Sequence, residues 1–175
     1  MDWRPGTSPA TLRARAALLA ALRAFFAERG VLEVDTPLLA PGTVTEPAIA
    51  SISADGGWLQ TSPEYFMKRL LAAGSGPIYQ IARAFRAGES GRLHNPEFLL
   101  LEWYRPGFDD AALMDELDAL LAPLLPGFPA RRRPFAELVA EWLDLDPLTA
   151  DEGALAGALA AVWRRAGRDG DPLAL

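Results

Sequence analysis

The sequence predicts an α+β fold in which helices flank an incomplete antiparallel sheet, and three observations support this class. Apolar residues recur at helical spacing over residues 9–29. Two stretches, 78–85 and 98–104, alternate like strands, and a single polar loop joins them, so they most simply form an antiparallel pair. From residue 109 onward the apolar spacing is helical again.

The first helix has a recognisable start and end. Ser8 can cap it and Pro9 suits the first helical position, whereas Gly30 supplies the left-handed residue that often follows a helix. Residues 31–35 then alternate like a short half-buried strand, which Pro37 stops.

The middle of the chain is predicted to be a loop followed by a second helix. Residues 41–57 contain several glycines and prolines and predict mostly loop, with a short strand near 58–60. Ser62, Pro63 and Glu64 form the start of the second helix, because serine and proline commonly begin helices and an acidic residue suits the first turn.

Beyond the strand pair the chain is predicted to be helical. Helices are expected at 109–121 and 134–143. Thr149 and Glu152 match a capping box for a last helix that ends near residue 165.

The composition narrows the class of protein. Half of the residues are hydrophobic and 23% are charged, which is typical of a folded globular protein. The chain has no cysteine, no apolar run long enough to span a bilayer and no signal-peptide core in residues 1–10. These features predict a soluble cytoplasmic protein without a membrane partner. The net charge of −6 argues weakly against extensive nucleic-acid binding.

A candidate binding face follows from the alternation along the predicted strand 98–104, the second strand of the antiparallel pair. Glu102 and Tyr104 lie on one face of that strand, and Arg86, at the end of the first strand, can lie on the same face. Arginine can bind phosphate with two hydrogen bonds, and glutamate can pair with an ammonium group. The apolar residues of the opposite face belong against the core: Leu99, Leu101 and Trp103. From composition alone, a surface ion pair between Arg86 and Glu102 explains the same pattern.

Three segments of this strand pair carry a family resemblance: Phe85-Arg86, His94-Asn95-Pro96-Glu97-Phe98 and Leu101-Glu102-Trp103-Tyr104. They are similar to the second signature motif of class II aminoacyl-tRNA synthetases of the lysine branch. The resemblance implies that Arg86 is the catalytic residue that grips the α-phosphate of ATP, and that the loop 87–97 folds over the nucleotide. It implies these ATP-binding residues: Arg86, Ala87, Gly88, Glu89, His94 and Asn95. It also implies that Glu102 and Tyr104 line the amino-acid pocket.

Two earlier segments agree with that resemblance. The first helix with residues 30–37 resembles the first signature motif, which builds the dimer interface in this class and therefore implies a homodimer. Residues 61–65 and 68–70 resemble the segment whose glutamate holds the substrate amine. This implies that Ser62, Pro63 and Glu64 bind substrate, although the same three residues also simply begin a helix.

The amino-acid sequence of these segments is most similar to that of the elongation factor P lysine ligases, and the resemblance extends over residues 8–152. Too few residues precede the first helix for the anticodon-binding domain of a lysyl-tRNA synthetase. The resemblance implies that ATP and Mg²⁺ are used to activate lysine or β-lysine as an acyl-adenylate, which is transferred to a lysine of elongation factor P without direct binding of nucleic acid. Two alternatives stay open: a lysyl-tRNA synthetase-type enzyme that charges tRNA, and a truncated, non-catalytic module for ATP binding or dimerisation.

The chain also departs from the family pattern. The third motif and the later acidic Mg²⁺ ligands are absent, so no metal ligand is expected here and the chain alone is expected to be inactive. Residues 1–107 would then be the N-terminal part of the catalytic domain, with motifs 1 and 2, and residues 108–175 a truncated insertion before motif 3. Gly88 stands where the second motif usually has glutamate, and Glu89 is a candidate replacement.

Overall fold

The computed structural model describes residues 3–127 and 130–167 of the chain. The helices are α1 (Pro9–Ala27), α2 (Glu64–Ala72), α3 (Asp110–Leu121), α4 (Phe135–Leu143) and α5 (Glu152–Arg165). The strands are β1 (Leu32–Glu33), β2 (Leu39–Ala40), β3 (Ser53–Ala54), β4 (Gly57–Leu59), β5 (Ile78–Phe85) and β6 (Glu97–Tyr104). The chain divides into two compact units, and the boundary in the sequence lies between residues 125 and 126.

The larger sheet of the first unit contains three strands in the order β1-β5-β6. The predicted antiparallel pairing of β5 with β6 is confirmed, with Gln80 opposite Glu102. The sheet is mixed rather than wholly antiparallel, because β1 runs parallel to β5 and pairs Leu32 with Ile78. The helices and the sheet together agree with the α+β class.

A second, smaller sheet borders residues 41–57, which were predicted to be mostly loop; only β3 and the first residue of β4 lie within that segment. Its order is β2-β4-β3, and both pairings are antiparallel. Only a strand near β4 was expected from the sequence. Strands of two or three residues have too short an alternation to be recognised from their sequence alone.

The core of the first unit lies between α1, α3 and one face of the larger sheet. Phe26 is fully buried and stacks on Tyr79, with the ring centroids 4.4 Å apart. Leu101 and Trp103 pack against this cluster from β6, as the alternation predicted. The prediction was wrong for Leu99, which is 36% exposed and lies opposite the exposed Arg83 of β5. Since strand residues alternate between the two faces, Leu100 and Glu102 are turned to the other face of the sheet, which is where the candidate site lies.

Helix α3 belongs to this core because a buried polar cluster holds it against β6. Asp109 caps the helix by accepting a hydrogen bond from the backbone N–H of Ala112 at 2.8 Å. The buried carboxylate of Glu116 accepts a hydrogen bond from Trp103 Nε1 at 3.1 Å and lies 3.3 Å from Arg105 Nε. Whether residues from 108 onward form an insertion of the family stays a prediction.

The second unit contains α4 and α5, which pack against each other. Asp151, rather than the expected Thr149, caps α5, and its Oδ1 accepts from the backbone N–H of Ala154 at 2.7 Å. The expected capping box was wrong because aspartate is an equally good cap and lies directly before the helix. Within residues 3–127 and 130–167, none of the helices has the length and apolar character needed to span a bilayer.

Candidate functional site

A cleft of about 460 Å³ lies beside the sheet face that carries Glu102. Glu102 and Leu100 line it from β6, Glu64 and Ser62 from the start of α2, and Arg86 from the end of β5. The cleft therefore brings together one guanidinium group and two carboxylates that the sequence had placed in three separate segments.

Arg86 is held in place at one side of the cleft. Its backbone N–H donates to the carbonyl of Pro96 at 2.9 Å, and its Nε donates to the carbonyl of Thr61 at 3.3 Å. The guanidinium carbon lies 5.1 Å from the centre of the Phe98 ring, and Nη1 lies 3.7 Å from a carboxylate oxygen of Glu89. In the described part of the chain, no ion pair joins Arg86 to Glu102. The arginine is thus fixed, and its outer N–H groups can receive an anion.

Glu102 is a half-buried carboxylate with one strong internal hydrogen bond. The hydroxyl of Tyr104 donates to Glu102 Oε1 at 2.6 Å. Burial raises the pKa of Glu102, and the charge of Glu64 raises that pKa further, whereas the Tyr104 hydrogen bond and the ammonium of Lys68 lower it. Tyr104 supports Glu102 and is not one of the residues that line the cleft. Burial also raises the pKa of Tyr104, so the phenol remains a donor.

Glu64 projects from the first turn of α2. Its backbone N–H donates to Ser62 Oγ at 3.3 Å, and Pro63 is buried beneath the start of the helix. The ammonium group of Lys68, one turn further along, lies 2.5 Å from Glu64 Oε1. Ser62 and Glu64 line the cleft, whereas Pro63 fixes the helix start without facing the cleft.

Beyond Arg86, the residues of the loop between β5 and β6 do not line this cleft. The backbone N–H of Ala87 donates to the carbonyl of Ala50 at 2.8 Å, and Gly91 and His94 exchange backbone hydrogen bonds that close a turn. His94 and Asn95 are exposed. Of the residues that the resemblance assigns to ATP, the structure brings only Arg86 into the cleft. The following assigned loop residues do not line it: Ala87, Gly88, Glu89, His94 and Asn95.

Gly88 adopts a backbone conformation that favours glycine at this position of the loop. Its φ of 79° lies in the left-handed region, which glycine adopts without steric cost. A glutamate at position 88 would be strained in this backbone conformation. The loop in its present conformation therefore does not favour the glutamate that the motif usually has at this position. Glu89 follows the turn and lies near Arg86, at the 3.7 Å separation given above.

We expect Gly88→Glu to lower the free energy of unfolding by about 1–2 kcal/mol, because a side chain at positive φ is strained. Urea denaturation of the variant measures the change. Gly91→Ala is the matched control, since Gly91 lies in the same loop at ordinary φ with open space around its Cα. Equal stability of Gly88→Glu and the control would contradict the strain argument.

Residues of the preceding loop, which were not predicted from the sequence to belong to the site, also reach the cleft. Thr45 and Glu46 line it, and Tyr65 joins them from α2. Thr45 contacts the Tyr65 hydroxyl twice, through Oγ1 at 2.8 Å and through its backbone N–H at 3.3 Å. These hydrogen bonds lower the pKa of Tyr65. The loop carries no motif or periodicity that could have indicated this contact.

The donor set of the cleft suits an amine and an anion better than a resident metal. In the part of the chain that the structure describes, no group of three or more His, Cys, Asp or Glu side chains is placed to hold a metal ion. A neighbouring cavity of about 300 Å³, mainly apolar, shares Thr61, Ser62 and Tyr65 with the cleft.

A model of the family described as tRNA synthetases class II (D, K and N) matches residues 1–143 of the chain. This match covers the sheet, the cleft and the helix α4, which is most of the sequence.

Several curated proteins named elongation factor P–(R)-beta-lysine ligase are similar to the chain. The one from Photorhabdus laumondii is 49% identical over 161 residues, which is 86% of this chain and 50% of that protein. The one from Yersinia enterocolitica is 48% identical over 169 residues, or 91% of this chain and 52% of that protein. The chain thus spans about half the length of the curated relatives it matches.

Proposed function

We propose, since this chain belongs to the class II tRNA synthetase family of the D, K and N type, that it is part of an ATP-dependent lysine ligase. The complete protein would activate lysine or β-lysine as an acyl-adenylate and attach it to a lysine of elongation factor P. The names of the relatives support this substrate and this acceptor.

The observation that carries the proposal is the placement of Arg86, Glu64 and Glu102 around one cleft. A lysine molecule has a carboxylate that becomes joined to phosphate and two amino groups that carry positive charge. The guanidinium group of Arg86, facing the carboxylates of Glu64 and Glu102, matches that distribution, because guanidinium binds phosphate and carboxylate binds ammonium. Glu46 adds a third carboxylate to the lining of the cleft. A cleft of this charge pattern would reject a purely anionic amino acid.

The proposed reaction has two steps that use these residues for orientation. A carboxylate oxygen of lysine attacks the α-phosphorus of ATP, the bond to the pyrophosphate oxygen breaks, and acyl-adenylate and pyrophosphate form. The amine of the acceptor lysine then attacks the acyl carbon, loses a proton and displaces AMP, which leaves an amide. Arg86 would hold the α-phosphate and stabilise the charge that develops there, and Glu64 and Glu102 would fix the amino groups.

Mg²⁺ would neutralise part of the charge on the ATP phosphates. The described residues do not provide a set of ligands for it. We therefore propose that its ligands lie in the half of the relatives' length that this chain does not span.

The remaining assignments follow from the same family membership and are proposals. Residues 1–107 would be the part of a class II catalytic domain with its first two motifs, and residues 108–175 would be the insertion that precedes the third. The segment from α1 to β1 would contribute to a homodimer interface in a cytoplasmic enzyme. The chain by itself would bind ligand without turning over.

The test is lysine-dependent exchange of pyrophosphate into ATP, measured on the complete protein that includes the half of the relatives' length that this chain does not span. We expect exchange with lysine or β-lysine, followed by transfer of the labelled amino acid to elongation factor P and not to tRNA. Labelled tRNA would favour the tRNA-charging alternative. Absence of exchange with either amino acid would contradict the proposed function.

A further inference from the structure

We propose that Lys68 is a specificity-determining residue of the cleft, because its ammonium group occupies the carboxylate of Glu64 that a substrate amine would need. A substrate amine would then bind only by displacing Lys68. This inference rests on the proposed function and concerns the same site.

The position of Lys68 follows from the geometry of α2. Lys68 lies four residues after Glu64, so both side chains project from the same face of the helix. Lys68 Nζ lies 2.5 Å from Glu64 Oε1, so the ammonium group donates a charge-assisted hydrogen bond to that carboxylate. The ammonium group therefore contacts a carboxylate that lines the cleft, although Lys68 itself is not one of the lining residues.

Lys68 also lies in the field of the second carboxylate. Glu102 projects from β6, a different element from α2, and its charge raises the pKa of Lys68 after the larger contribution of Glu64. In return, Lys68 lowers the pKa of Glu102. The ammonium group of Lys68 thus interacts electrostatically with both carboxylates that are proposed to bind the amino groups of a lysine substrate.

Displacement of Lys68 would be easy. Its side chain is 57% exposed, so it can swing from Glu64 into water without a large rearrangement. Exposed ion pairs are weak, and lysine keeps considerable rotational freedom. The internal ammonium would therefore weaken the binding of every substrate amine moderately, and a ligand that engages both carboxylates at once would displace it more readily than a ligand with one amine.

The test compares the KM for lysine in pyrophosphate exchange between the complete protein and its Lys68→Met variant. We expect the KM of the variant to fall about two- to fivefold, the range that an exposed ion pair can contribute, with little change in kcat. Lys68→Arg keeps a cation and should stay near the wild-type KM. In a Glu64→Gln background, Lys68→Met should lose most of its effect, because the contested carboxylate is gone.

Arg83→Met is the matched control. Arg83 forms an ion pair of similar length with Glu97, at 2.6 Å, and both side chains are 53% exposed. Its loss should leave the KM unchanged. A KM that is unchanged or raised in Lys68→Met, while the wild-type protein is active, would overturn this inference alone. A wild-type protein without lysine-dependent exchange would overturn the proposed function and this inference with it. A Glu64-to-Lys68 pair that only stabilises α2 would lower the melting temperature of Lys68→Met without lowering its KM, which would also overturn the inference.

Discussion

Arg86→Ala is expected to lower kcat/KM for lysine-dependent exchange of pyrophosphate into ATP about 10²- to 10³-fold in the complete protein. Arg86 is the one residue of the predicted ATP set that lines the cleft. Its Nε is fixed by the carbonyl of Thr61, so its remaining N–H groups are oriented before any ligand arrives. Alanine removes both the charge and this orientation.

Two controls separate this effect from a loss of folding. Arg86→Lys keeps the charge but not the planar set of donors, and we expect activity between those of the wild type and the alanine variant. Arg83→Ala removes an exposed arginine three residues earlier in β5 and should leave the exchange rate unchanged. Circular dichroism should show that each variant is folded. Wild-type exchange by a folded Arg86→Ala protein would contradict the assignment of Arg86.

The sheet face of the candidate site could be predicted because strand geometry is local. The alternation along β6 places Leu101 and Trp103 against the core, and the structure confirms this. Glu102 is consequently turned to the other face, where it lines the cleft with Arg86. The antiparallel hairpin required only the short connection between its strands. These features depend on the alternation of apolar residues along a strand and on the closeness of the two strands in the sequence, and both can be read from the sequence.

Other parts of the fold depend on contacts between distant residues and could not be predicted. The parallel pairing of β1 with β5 joins segments that are far apart in sequence. The approach of Thr45 to Tyr65 is set by the path of a loop that has no periodic pattern. The helical spacing within residues 109–121 likewise did not show which face of α3 is buried, since Leu113 and Leu117 are 40% and 38% exposed whereas Leu120 is buried. The carboxylate of Glu116 lies on the buried face of that helix, where it pairs with Arg105.

The assignment of the loop 87–97 to ATP shows a different limit. The resemblance identifies which residues correspond to the motif, but it does not fix the conformation of a loop. His94 and Asn95 are exposed and do not line the cleft, and Gly88 lies at positive φ where the motif usually has glutamate. Their contact with nucleotide stays a prediction.

Glu102→Gln is expected to separate stability from function. In the complete protein, kcat/KM for lysine should fall about 100-fold or more, because a neutral amide cannot neutralise a bound ammonium group in a partly buried site. The folded protein should be at least as stable as the wild type at neutral pH. Glutamine keeps an oxygen that can accept the hydrogen bond from Tyr104.

The stability part follows from the direction of the pKa shift. Burial, the largest cause, raises the pKa of Glu102 in the folded chain, and the charge of Glu64 adds to it. A carboxyl group with a raised pKa binds its proton more tightly in the folded state than in the unfolded state. Its contribution to stability is therefore largest at low pH and is lost as the pH rises through the raised pKa. Glutamine, which never ionises, does not lose that contribution.

Thermal unfolding of the wild type and Glu102→Gln between acidic and neutral pH measures this difference. The advantage of Glu102→Gln in melting temperature should shrink as the pH falls, because Glu102 of the wild type then becomes protonated and neutral. Glu97→Gln is the matched control, since Glu97 lies at the exposed start of the same strand and should show neither effect. A Glu102→Gln protein that is less stable at neutral pH would mean that Tyr104 and Lys68 more than compensate the burial of this carboxylate. The charge would then be retained for folding as well as for binding, and the separation of the two roles would be wrong.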